Sequence, residues 1–268
     1  DRIISFLTYL DSIQTANLPN LQTYVTANEI NLCLSIQTYQ ESIHSQSYSY
    51  ILDTICSPEE RTKILYMWKD DEHLLRRNEY IGEQYNDFLE EDDEFNFMKA
   101  LIANYILEGI YFYSGFSFFY NLGRNGKMPG TVQEIRYINR DENTHLWLFR
   151  SLINDLKKER PDLFTEEHIK YYTAMLKEGV EQEIAWGKYA IGDNISGLNG
   201  KMIEDYIKYL GNLRAKGLGF GNLYEGYNEV PDSMKWVEEY ADPNQVKTDF
   251  FEAKVSAYSK SSIIEDDL

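Results

Sequence analysis

LIANYILEGIYFYSGFSFF, residues Leu101–Phe119, is almost wholly apolar, and one carboxylate, Glu108, interrupts it. The run is too long for a strand. It lies inside a longer helical stretch, about residues 95–122, that ends at the turn-rich GRNGKMPG. It therefore reads as a buried helix, where an unpaired carboxylate would be very costly. A bound cation would remove that cost. Glu108 could instead be neutral, or paired with an arginine such as Arg140.

Outward from this helix the same periodicity recurs nearly everywhere. The six prolines sit at expected boundaries, and between them apolar residues return at three and four spacing. Helices are expected up to about Gln14, with TANLPN as a connector, and then over about 27–54, 58–68, 72–89, 131–158, 166–189 and 200–218. The acidic EEDDE near Glu90 reads as a solvated break. No strand pattern competes. The fold class is all-α, with 1–230 as one helical bundle domain and 231–268 as a polar, partly irregular tail. The opening DRIISFLTYLD already reads as helix interior, so a natural start before Asp1 is expected.

Histidine is scarce, with four in the chain, and two of them stand in Glu-x-x-His: Glu41–His44 and Glu142–His145. Each motif lies on its own long helix, and i, i+3 spacing puts both side chains on one face. An isolated motif of this kind is usually a surface pair. A dinuclear site in a helical bundle, however, takes two such motifs plus one carboxylate from each of two further helices. Glu108 and Asp11, which follows FLTYL, interrupt apolar surroundings on separate helices. Asp11 could alternatively cap or end its helix, since Pro19 follows. Four helices carrying the required ligand types favour the metal site. One turn beyond the ligands lie Tyr48 (after His44), Phe112 and Phe116 (after Glu108), and Ile138 (before Glu142), so an aromatic and apolar pocket beside the metals is expected.

LDSIQTANLP, QESIHSQSYSYI, LEGIYFYSGFSFF and INRDENTHL resemble, in order and in type, the metal-binding segments of the class I ribonucleotide reductase small subunit. The likeness runs from the first residues to at least Leu148 and is nearer the typical bacterial aerobic type than its flavodoxin-dependent manganese relative. It implies a ferritin-like fold in which Asp11, Glu41 and His44 hold one metal and Glu108, Glu142 and His145 the other. Glu41 and Glu142 would bridge. It implies two iron ions, oxo-bridged when oxidised, although manganese takes the same donors. Tyr48 falls where the family keeps a tyrosyl radical formed with dioxygen, shielded by Phe112, Phe116 and Ile138. Asp141 falls on the transfer route through His44, and Tyr258, in VSAYSK, near a mobile relay tyrosine. The relay's N-terminal tryptophan has no counterpart. The resemblance further implies a homodimer and a large catalytic subunit bound by the C-terminal tail.

Bulk properties agree. A net charge of −18 disfavours nucleic acid and anionic membranes as partners, and no apolar run is long enough to span a bilayer. Two cysteines make no framework, which fits a reducing cytoplasm, and Cys33 in LCLSI reads as a small buried residue. GLGFGN follows a helix and is a C-terminal break, not a phosphate loop. A free-standing ferritin-like di-metal oxidase and a metal-storage bundle remain as alternatives. Tyr48, Asp141 and a tyrosine-bearing tail discriminate against the first, and the chain length and aromatic pocket against the second.

Overall fold

The computed structural model describes residues 1–241 except Asp92 and Asn194; Tyr258 lies outside the described residues. Helices α1 (Arg2–Tyr24), α2 (Asn28–Ile55), α3 (Pro58–Tyr66), α4 (Glu72–Glu90) and α5 (Glu94–Ile106) come first. A π turn, Leu107–Tyr111, joins α5 to α6 (Tyr113–Arg124). Then follow α7 (Pro129–Glu159), α8 (Glu166–Ile191), α9 (Gly200–Gly217) and the short α10 (Lys235–Ala241). No strand occurs among the described residues beyond one isolated bridge, Ile195 to Leu198. The architecture is all-α, as expected.

Local chemistry sets many of the boundaries. Ser57 and Glu60 form a reciprocal cap at the start of α3, where Pro58 needs no N–H partner. Asp71, Asp93, Thr165 and Asn199 accept backbone N–H groups at the starts of α4, α5, α8 and α9. Gly192, at φ 58°, ends α8 in a conformation that favours glycine. Helix α1 packs along α2, α4 along α5, and α8 along α9. The α5–π–α6 rod runs through the middle and is buried over nearly its whole length.

Three expectations are corrected. TANLPN is not a connector: α1 continues through Pro19 to Tyr24. Leu18 and Leu21 are fully buried there, and together this burial outweighs the roughly 3 kcal/mol that an interior proline costs. Cys33 is exposed, because LCLSI wraps around α2: Leu34 faces the core while Leu32 and Ile36 are open to solvent. Within the segment expected as a polar, partly irregular tail, the described residues hold a 3₁₀ turn at Asp232–Met234 that leads into α10. Met234 and Val237 are buried against the bundle, Tyr206 donates to Glu238 and Arg136 donates to the Tyr240 carbonyl. Finally, the central helix is not continuous. The π turn breaks it at Glu108.

Candidate metal centre

Six side chains converge at the middle of the bundle. Helix α1 supplies Asp11, α2 supplies Glu41 and His44, the π turn supplies Glu108, and α7 supplies Glu142 and His145. All six are buried. Ligand atoms of Asp11, Glu41 and His44 lie within 4.8 Å of one another, as do those of Glu41, Glu108, Glu142 and His145. Glu41 belongs to both groups. Its Oε2 is 3.8 Å from His44 Nδ1 and its Oε1 3.1 Å from His145 Nδ1. Glu142 repeats the pattern, with Oε1 at 3.0 Å from His44 Nδ1 and Oε2 at 3.3 Å from His145 Nδ1. Two glutamates thus each offer one oxygen to either half of the site, as bridging carboxylates must.

The outer face of each imidazole is already engaged. His44 Nε2 is 3.4 Å from Asp141 Oδ2, and His145 Nε2 is 3.0 Å from Gln40 Oε1. Those acceptors take the N–H of both Nε2 atoms and turn both Nδ1 atoms toward the carboxylates, where a metal would take the place of the Nδ1 proton. Asp141 is itself gripped by Arg140 Nε and Nη2 at 3.2 and 3.0 Å. Arg140 is therefore committed to Asp141, not to Glu108. Glu108 Oε1 instead accepts from Gln14 and, at 2.8 Å, from Gln37 Nε2, while its Oε2 is 3.3 Å from His145 Nδ1. Gln14 also donates to Asn104 at 2.6 Å and accepts from the Tyr85 hydroxyl at 2.8 Å.

The protein alone does not satisfy this cluster. Both oxygens of Asp11 are buried without a hydrogen-bond partner, and both of Glu41, Oε1 of Glu142 and Nδ1 of His44 make no well-directed hydrogen bond despite the close carboxylate–imidazole approaches. Burial, then repulsion from Glu41, pushes the Asp11 carboxyl well up. Burial, then Glu41 and Glu142, does the same to Glu108. Burial also raises Glu142, but hydrogen bonding from Glu108 and the His145 and His44 imidazoles hold it well below the usual range. Burial works against a charged His44, yet Asp141, Glu142 and Glu41 push it up to about 12. Burial likewise opposes a charged His145, and Glu108 and Glu142 push it well up. Protons therefore offset negative charge that divalent cations would otherwise neutralise. Four carboxylates match the charge of two such ions, and the free lone pairs point at one shared space.

Tyr48, four residues past His44 on α2, is fully buried, and its hydroxyl has no partner. Burial, then the Asp11, Glu142 and Glu41 charges, pushes the phenol well above its ordinary value, so it stays protonated. Phe112, Phe116 and Ile138 are buried in the same core, the two phenylalanine rings stacked at 5.7 Å.

Gln14, Gln37, Gln40 and Asn104 escaped the sequence reading, although each lies one turn from a proposed ligand: Asp11, Glu41, His44 and Glu108. An amide at three or four spacing from a buried carboxylate or imidazole was the available signal. The π turn had none beyond Glu108 beside Gly109.

The ribonucleotide reductase, small chain, family matches residues 1–231. The chain belongs to the class I ribonucleotide reductase small-subunit family. It is 66% identical over its whole length to the beta subunit of ribonucleoside-diphosphate reductase from Treponema pallidum, covering 76% of that protein. Against the Halalkalibacterium halodurans beta subunit it is 40% identical over 97% of this chain and 75% of that one. Among solved structures, the reductase R2 subunit of Clostridium botulinum superposes with a TM-score of 0.87 at 52% identity, covering 90% of this chain and 76% of that one. The Streptococcus sanguinis dimanganese(II)-NrdF shares the fold at 22% identity with a TM-score of 0.72, covering 90% of this chain and 81% of that one. The protein is thus an oxidoreductase component that works with a large subunit, and its buried cluster suits a dinuclear centre. No helix among the described residues is long and apolar enough to cross a membrane.

Proposed function

We propose that this small subunit generates a tyrosyl radical on Tyr48 and passes it to the large subunit, which reduces ribonucleotides to deoxyribonucleotides. The observation that carries the reading is the pair of glutamates, Glu41 and Glu142, each spanning both imidazoles among partnerless buried oxygens. Asp11, Glu41 and His44 would hold one ion and Glu108, Glu142 and His145 the other. We assign iron to both positions because the sequence resembles the typical bacterial aerobic type, although this donor set also accepts manganese. Bound there, the metals supply oxidising power drawn from dioxygen.

The chain's own residues do the rest. Tyr48 gives up one electron and its phenolic proton together, because burial and nearby carboxylates keep the phenol protonated until oxidation. Phe112, Phe116 and Ile138 offer no exchangeable hydrogen or polar atom to quench the product. Asp141, hydrogen-bonded to His44 and partly open to solvent, is the first step of the way out. Tyr258 is assigned to the far end of that route, in the tail that binds the large subunit.

A homodimer is supported by α2. Leu32, Ile36, Tyr39, Ile43 and Tyr50 form one exposed stripe at spacings of four, three, four and seven, the heptad repeat that pairs helices. Residues 1–230 with the appended α10 would form the metal domain. The exposed Cys33 and the half-buried Cys56 are both free thiols, which supports a cytoplasmic setting.

The test is electron paramagnetic resonance after ferrous iron and oxygen are added to metal-free protein. An organic radical that disappears in Tyr48→Phe is expected. The same radical in that variant would refute the assignment, and unchanged iron binding in Glu108→Ala would refute the site.

A further inference from the structure

The π turn that presents Glu108 is held by three buried charged side chains from three other helices. A π turn inserts a residue and shifts the local hydrogen-bond register, so backbone groups need outside partners in a place without water. Arg214, from α9, donates Nε–H to the Gly109 carbonyl at 3.0 Å. Arg77, from α4, donates from Nη2 to the Tyr111 carbonyl at 3.4 Å. Glu183, from α8, accepts the Ser114 N–H at 2.9 Å. Arg77 and Glu183 are also paired with one another.

The approach is built on both sides. Gly109 admits the guanidinium: a Cβ there would lie 3.1 Å from Arg214 Nε and 2.8 Å from Leu146 Cδ1. Arg214 reaches on to the Tyr113 hydroxyl at 2.9 Å. The Arg77 guanidinium is packed over the rings of Phe6 and Tyr111 at 3.9 and 4.3 Å. Arg77, Glu183 and Arg214 are all more than nine-tenths buried. Charges buried this deeply seldom add stability over well-packed apolar groups, so a use in specifying geometry is the better account.

We propose that Arg214 and the Arg77–Glu183 pair are positioning residues that hold the π register and thereby aim Glu108 at the other five donors. The inference rests on those six residues binding metal. Without the clamp the rod relaxes toward a regular helix. One residue of register then turns Glu108 about 100° around the axis, away from His145 and Gln37.

The test is cobalt(II) titration of the metal-free subunit, followed by visible absorption, with thermal melts of the same samples. Arg214→Met keeps side-chain length but cannot donate. It is expected to weaken the second cobalt equivalent about 10–100-fold and alter its spectrum, with Arg214→Lys recovering part of the loss. In a Glu108→Ala background, Arg214→Met should cost nothing more. Wild-type affinity and spectrum in Arg214→Met would overturn the proposal, as would an equal further loss in the Glu108→Ala background. No cobalt binding by the wild type would overturn the metal reading and this proposal with it. If Arg214→Met does not fold, Glu183→Gln carries the same comparison.

Discussion

Asp11 offers the sharpest separation of function from stability. Both of its oxygens are buried without a partner, and its carboxyl is pushed well up by burial and by Glu41. Leucine has the same branched outline with methyls in place of oxygens. Each orphaned polar atom costs about 1–3 kcal/mol, so after allowing for imperfect packing Asp11→Leu should stabilise metal-free protein by about 2 kcal/mol. For a chain of this size that is a rise of roughly 4 °C or more in melting temperature. The sign with pH follows from the raised carboxyl. Stability from the protonated group is full below its unfolded value of 3.8 and is lost as pH rises through the folded value. The advantage of the leucine variant therefore widens as pH rises from 5 to 8. Metal reverses the ranking: ferrous iron at about a hundredfold excess over its dissociation constant stabilises wild type by about 2.7 kcal/mol, and the variant by much less. Calorimetric melts with and without metal at two pH values read all three effects. A metal-free Asp11→Leu melting below wild type at pH 8 would refute the reasoning.

Arg77→Met strands the Glu183 carboxylate and should cost about 3–5 kcal/mol in urea denaturation. Burial already pushes Glu183 up to about 7 against the pull of Arg77, so the raised-carboxyl sign applies and the loss should deepen from pH 5 to pH 8. Tyr48→Phe removes a hydroxyl with no partner, and should leave metal stoichiometry unchanged while raising metal-free stability by up to about 1 kcal/mol. Gly109→Ala puts a methyl against Leu146 and Arg214, and should weaken cobalt binding while the far-ultraviolet circular dichroism stays helical. Ile36→Glu with Tyr39→Glu should halve the mass measured by light scattering if the α2 stripe joins two copies.

The bundle and the six-residue cluster were legible because both rest on period. Glu41–His44 and Glu142–His145 repeat the i, i+3 face, and Glu108 and Asp11 stand out by violating apolar surroundings. What stayed hidden depends on tertiary packing. Pro19 looked like a stop because propensity is local, whereas Leu18 and Leu21 are secured by α2 and the rest of the core. The π turn leaves the apolar pattern of its rod intact, and the side chains that meet its backbone come from distant helices, Arg214 from more than a hundred residues away. Cys33 was misplaced because an apolar run on an amphipathic helix faces two ways, one to the core and one to a stripe left open.

The two imidazoles differ in what they lean on. His44 donates to a carboxylate, Asp141, and His145 to the neutral amide oxygen of Gln40. An anionic acceptor makes the first ring the stronger electron donor, so two ions with nearly mirrored ligands would differ in potential, the one at His44 being harder to reduce. Arg140, outside Asp141, sets how far that charge is felt. With ions bound there, a residue at the protein surface would thus have a hand on the redox asymmetry of a pair it never touches.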